Sequence, residues 1–164
     1  MRSRAEIPVV PRCGLYRTSL PVPGYADRVP EGRLIFFHNH SAEGPPMILL
    51  PETNEHNRWR FHNRGYLVSD TEYLATLRPL KQEGFYRLRE HFHTAGQQIV
   101  NRNALVQLGY NSRAEPILFF PEIHATQNSL VFPVRGVRIS EDIYDLLDPV
   151  DVRGPHAPDP PQFH

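Results

Sequence analysis

A four-residue pattern, Gly-x-Tyr-Arg with an apolar second residue, occurs twice in this chain. Gly14-Leu15-Tyr16-Arg17 returns as Gly84-Phe85-Tyr86-Arg87, a spacing of 70 in a sequence of 164 residues. This limits the fold more than any other feature, because a unit used twice must form its core within about 70 residues. The register persists along the chain. Leu34-Ile35-Phe36 meets Ala104-Leu105-Val106, and Pro46-Met47-Ile48-Leu49-Leu50-Pro51-Glu52 meets Pro116-Ile117-Leu118-Phe119-Phe120-Pro121-Glu122. One inserted residue then brings Asn57 against Asn128, Phe61 against Phe132, and Arg64-Gly65 against Arg135-Gly136. Leu77-Arg78-Pro79-Leu80 returns to the first spacing opposite Leu147-Asp148-Pro149-Val150. The expected organisation is an N-terminal arm (1–13), a first repeat (14–83), a second repeat (84–153) and a Pro-rich C-terminal arm (154–164).

Each repeat reads as mainly β. Tyr86, Leu88 and Phe92 share one parity, while Arg87, Arg89, His91 and His93 share the other, as on a strand with one wet face. RLIFF (33–37) reads as a core strand, and ALVQLGY (104–110) and PILFF (116–120) read as a hairpin around NSRAE. RWRF (58–61) alternates with Trp59 and Phe61 inward. Pro, 17 in number, excludes long helices and long central strands. One short helix per repeat is expected. Ser69-Asp70-Thr71-Glu72 has capping-box form, and Ser140-Glu141-Asp142 puts acids in a first helical turn. Five short strands and a helical turn resemble small SH3-like or Tudor-like barrels in architecture alone. The fold class expected is therefore two β-barrel-like units with extended arms.

Charge narrows the functional classes. Lys+Arg and Asp+Glu both number 18, so the chain is formally neutral and lacks the broad basic footprint of a protein living on nucleic acid. Lys81 is the only Lys, against 17 Arg, the cation suited to paired contacts at interfaces. Mean hydropathy is −0.47 and no apolar run reaches membrane-spanning length, so no membrane span is expected. Cys13 is alone, which rules out an internal disulfide and a multi-cysteine zinc site. Pro8 and Pro11 interrupt the apolar start, and the chain reads as cytoplasmic.

Nine histidines invite a metal reading. His38 and His40, and likewise His91 and His93, stand two apart, so on a strand each pair shares a face and could chelate a divalent metal. Gly32, His38 and His40 are spaced like the opening of the cupin metal motif, but only two residues separate His40 from Glu43. HNHSAEG is similar to the zinc-binding stretch of JAMM-type metalloproteases, yet Ile48 and Pro51 fall where that family needs Ser and Asp. No histidine recurs between the repeats. No cofactor is therefore expected, and a metal-binding barrel or metal-dependent enzyme built on His38 and His40 stands as the alternative.

The repeats share Tyr16 and Tyr86, Arg17 and Arg87, Glu52 and Glu122, Arg64 and Arg135, and Gly65 and Gly136. Arg–Glu bracing within each repeat is the simplest role for the charged members. Candidate partner-binding residues are Arg58, Trp59 and Arg60, the basic face at Arg87 and Arg89, and the terminal Phe163 and His164. The Arg-aromatic strand could also track single-stranded nucleic acid; neutrality and the near-absence of Lys argue against it. The sequence favours a non-catalytic interaction or structural subunit, partnered by other protein subunits or by copies of itself.

Overall fold

The computed structural model describes residues 10–39 and 44–153. The fold is mainly β, with short helical turns at two places. Its described residues divide into two compact units. One runs to Pro51 and resumes at Phe61–Leu80; the other takes in Glu52–Arg60 and continues from Lys81.

The first unit is built on β1 (Gly14–Arg17), β2 (Leu34–His38) and β3 (Met47–Leu49). Next comes a two-stranded hairpin, β4 (Pro51–Glu55) and β5 (Arg58–Phe61), whose Glu52–Arg60 stretch belongs to the second unit. β6 (Tyr66–Leu67), helix α1 (Thr71–Leu74) and β7 (Arg78–Pro79) complete the first unit. Its sheet has the order β6-β3-β2-β1-β7. Tyr16, Ile35, Phe37 and Ile48 point to one side and join Val22, Val29, Val68, Tyr73, Leu74 and Leu77 in the core. The helix starts at Asp70, whose carboxylate accepts the Tyr73 backbone N–H at 3.0 Å. The cap thus falls one residue after the Ser69 that the capping-box pattern favours, because the Asp70 carboxylate itself reaches the N–H three residues on.

The second unit contains β8 (Gly84–Leu88), a small hairpin of β9 (Phe92–His93) and β10 (Ile99–Val100), β11 (Leu105–Tyr110) and β12 (Pro116–Phe119). Another hairpin follows, β13 (Glu122–His124) and β14 (Ser129–Val131), then β15 (Val137–Arg138), a 3-10 turn at Glu141–Leu146 and β16 (Leu147–Pro149). Its sheet has the order β15-β12-β11-β8-β16. The helical turn is looser than in the first unit, and the Ser140 side chain makes no capping hydrogen bond to it.

Strand for strand, the two sheets have the same order and the same antiparallel registers. Tyr16 stands opposite Ile35 and Pro79, as Tyr86 stands opposite Val106 and Pro149. Ile48 stands opposite Phe37 and Tyr66, as Leu118 stands opposite Leu108 and Val137. In β2 and β11 the ladders align Leu34–Phe37 with Leu105–Leu108, one residue later than the sequence match, because the connection after β8 is one residue longer than that after β1. The barrel-like expectation resolves into open sheets: among the described residues no closed barrel forms. Each sheet ends on a two-residue strand, β6 or β15, which offers too little ladder to meet the opposite edge.

Two shared residues have matching structural work. The Tyr16 hydroxyl donates to the Arg12 carbonyl at 2.8 Å and the Tyr86 hydroxyl to the Gln82 carbonyl at 2.6 Å, each four residues upstream. Both phenols are buried, which raises their pKa, that of Tyr86 to about 12. Gly65 and Gly136 each cross a central carbonyl so closely that a Cβ on Gly65 would overlap the Ile48 carbonyl, and one on Gly136 the Leu118 carbonyl. Any side chain there would push the chain off the sheet.

Candidate interaction site at the hairpins

The first hairpin turns on two residues with positive φ, His56 (52°) and Asn57 (65°), the backbone form of a type I′ turn. Asn tolerates this conformation well, and an Asn side chain can use the exposed position to bond elsewhere. Here it does so inside the second unit. Asn57 Nδ2 donates to Gln107 Oε1 and to the Pro133 carbonyl, both at 2.9 Å. Gln107 Nε2 answers with a bond to the His56 carbonyl at 2.8 Å. Asn57 and Gln107 are both buried, and each such group would cost about 1–3 kcal/mol if left unpaired. Next to them the backbone must come close: a Cβ on Gly109 would lie 2.7 Å from the Asn57 carbonyl oxygen.

β5 is held in the same way. The Trp59 indole N–H donates to the Tyr110 carbonyl at 2.7 Å, and the Trp59 backbone N–H donates to Glu83 Oε2 at 3.1 Å. Glu83 Oε1 is buried with no hydrogen-bond partner among the described residues. Burial pushes the Glu83 pKa up to about 7, against the opposing pull of the Trp59 N–H and the Arg58 guanidinium. The Tyr110 hydroxyl donates to the Lys81 carbonyl at 2.7 Å, and burial raises its pKa well above the ordinary value. Beside these contacts lies a pocket of about 330 Å³ lined by Glu55, Arg58, Trp59, Phe85 and Gln107 among others. That volume is at the lower end of small-molecule sites.

The second hairpin is a different surface. Its connection is longer, with Asn128 at φ 47° closing a turn of residues 125–128. Ile123 and Leu130 stand directly opposite each other across the strands. Ile123 is 75 % exposed, Leu130 48 %, Val131 47 % and the nearby Val134 86 %. Only the base is covered, where Phe132 packs on Phe85 with ring centroids 5.2 Å apart. Four exposed apolar residues thus fall within twelve positions, and two of them, Ile123 and Leu130, share one face of the hairpin.

The residues singled out in the sequence are distributed unevenly around these features. Trp59 is half-buried and spends its N–H inside the second unit; Arg58 and Arg60 flank it, exposed, with Arg60 3.7 Å from Glu55. Arg87 and Arg89 project from the wet side of β8 and its continuation, and both face Asp148, at 3.8 and 2.7 Å. Asp148 holds these cations beside β16, and they in turn lower its pKa. Glu52, Glu122, Arg64 and Arg135 are exposed, while Arg17 is half-buried beside the Tyr16 core position. His38 ends β2 opposite Met47, half-buried; its intended companion His40 lies outside the described residues, as do Phe163, His164, the C-terminal arm and residues 1–9. His91 and His93 are exposed with ring centroids 6.2 Å apart, edge to face. Among the described residues no cluster of three or more His, Cys, Asp or Glu could surround a metal ion.

Sequence reading missed Asn57 as an anchor, and it missed Glu83, Gln107 and Gly109 altogether. Two signals were present. His56-Asn57 between alternating residues is a two-residue hairpin signature, and Gln107 is a lone amide in an otherwise apolar strand, where burial demands a partner. Among the described residues no helix is long and apolar enough to cross a membrane. Compared with family models, with curated proteins and with solved structures, the chain matches none.

Proposed function

We propose that this protein is a non-catalytic interaction subunit of a larger protein assembly, built by duplication of one β unit. The exposed apolar hairpin β13–β14 carries this reading. An Ile123–Leu130 pair on one face of the hairpin, with Val131 and Val134 also exposed along the same segment, is costly to leave in water and gains about 25 cal/mol for each Å² of apolar surface that a partner covers. The duplication is supported by the equal strand order, the matched registers, and the recurrence of Tyr16/Tyr86 and Gly65/Gly136 in the same structural work. In this reading the repeats are 14–83 and 84–153, flanked by the arms 1–13 and 154–164, and the protein acts in the cytoplasm.

The test is native mass spectrometry of the untagged protein from its own cells, beside the double variant Ile123→Asp/Leu130→Asp. A complex heavier than the 18.9 kDa chain is expected, and the double variant should lose it while keeping its circular dichroism spectrum. A native protein found only as a free monomer ends this reading.

A further inference from the structure

The receiving site for the first hairpin can be compared, position by position, with the same place on the other sheet. Gly84 pairs with Leu108 as Gly14 pairs with Phe37. That register sets Phe36 where Gln107 stands, His38 where Gly109 stands, and Cys13 where Glu83 stands. The polar receiver of the second unit thus has an apolar counterpart in the first. Leu15, Phe36 and Leu49 are cross-strand neighbours spanning β1, β2 and β3, on the face turned away from Tyr16, Ile35, Phe37 and Ile48. All three are half-buried, as are Cys13 and Met47.

The hairpins differ in the same sense. Counting back from Phe61 and Phe132, Trp59 with its donating indole becomes Leu130, and its neighbour across the hairpin becomes Ile123. A polar hairpin meets a polar receiver within the second unit, whereas the apolar hairpin is left uncovered and the first unit's receiver is apolar, Phe36 being flanked by Phe61 with ring centroids 5.6 Å apart. Chemical matching of both halves identifies the occupant.

We propose that the β13–β14 hairpin of one copy docks on the outer face of the first unit's sheet of a second copy, Ile123 and Leu130 covering Leu15 and Phe36. This rests on the interaction-subunit reading and names the partner: another molecule of the same chain. The two surfaces are different patches, so the contact is heterologous. Copies join head to tail, closing into a ring or extending as a filament.

Cys13, the only cysteine in the chain, reports on this contact. In the second unit the Trp59 backbone N–H touches the Glu83 carboxylate, so Leu130, at Trp59's place, should approach Cys13 of the neighbouring copy. Full-length Leu130→Cys protein is oxidised with copper phenanthroline and run on a non-reducing gel. The expected product is a ladder of dimers, trimers and higher species that disappears when Cys13→Ser is added. Sedimentation of the wild-type chain from about 1 to 100 μM should show mass above the monomer, with Ile123→Asp/Leu130→Asp weakening association by about 100-fold or more. A wild-type monomer throughout that range overturns the proposal, as does cross-linking that stops at dimers or stays within one chain. A monomeric purified chain whose hairpin variant still loses its native complex leaves the interaction subunit standing and removes self-docking alone.

Discussion

The two hairpins leave their sheets at the same station, after the third strand, yet one is sealed and the other is bare. In the first, a buried Asn57–Gln107 pair, a Trp59–Tyr110 bond and a Trp59–Glu83 bond fix the ribbon within the second unit. In the second, Ile123 and Leu130 face solvent. The difference is one of side-chain chemistry more than of backbone. A ribbon carrying amide and indole donors needs matched acceptors to be buried at all, and only the receiver with Gln107, Glu83 and a bare Gly109 backbone supplies them. An aliphatic ribbon needs only apolar area, which can come from another molecule.

The largest expected effect probes what the two halves share. Gly65→Ala and Gly136→Ala each force a Cβ into a central carbonyl and should each destabilise by about 3 kcal/mol or more, read by urea denaturation. If one proves neutral, the equivalence of the two sheets breaks at that crossing.

The next effect separates the halves, because only the first hairpin rests on a buried carboxyl. Folded Glu83 keeps its proton up to about pH 7, while in the unfolded chain it ionises near 4.5. Between these values the folded state binds more protons, so the stability contributed by Glu83 is full below about pH 4.5, falls as pH rises through the window, and levels off above about 7. At about 1.4 kcal/mol for each pKa unit, the loss is about 3–4 kcal/mol. Glu83→Gln keeps an acceptor for Trp59 without the charge. It should be more stable than wild type at pH 8 and differ little at pH 4.5, as thermal melts across pH would show.

Smaller again is the contrast between the turn asparagines. Asn57→Ala strands Gln107 and should cost about 2 kcal/mol, whereas Asn128→Ala, at an exposed turn, should cost less than about 1 kcal/mol. Asn57→Gly preserves the left-handed turn and isolates the side-chain loss. Equal costs at the two positions would show that Asn57 acts through its turn and not through its anchor. The smallest effect is expected for Leu130→Asp, within about 0.5 kcal/mol of wild type in the dilute chain, since its side chain is half exposed. A large loss there would mean that the second hairpin is already covered.

Much of the scaffold could be read from residue order. RLIFF, ALVQLGY and PILFF became β2, β11 and β12, and the matched Tyr and Gly positions fell at matched places in the two sheets. Periodicity reports which face of a strand is buried, and it did so at Tyr86 and Leu88 against Arg87. It carries no information on which distant segment will cover a face, and the docking of the 52–60 ribbon within the second unit is a pairing of that kind. The recurring charged residues drew attention because charge is easy to see in a sequence. The hydrogen bonds that anchor the ribbon instead come from single amides and one carboxyl that no pattern repeats. Gln107 and Glu83 stand where Phe36 and Cys13 stand at equivalent registers, so comparing the two sheets for their differences points to the site more directly than comparing them for their identities.

The most direct measurement of the contrast between the hairpins is amide hydrogen exchange on the dilute chain and on the assembled protein. Amides of residues 52–60 should be protected in both states, while those of 122–131 should exchange fast in the dilute chain and slow on assembly. Equal protection of the two hairpins in the dilute chain, or no change at 122–131 on assembly, would contradict the account.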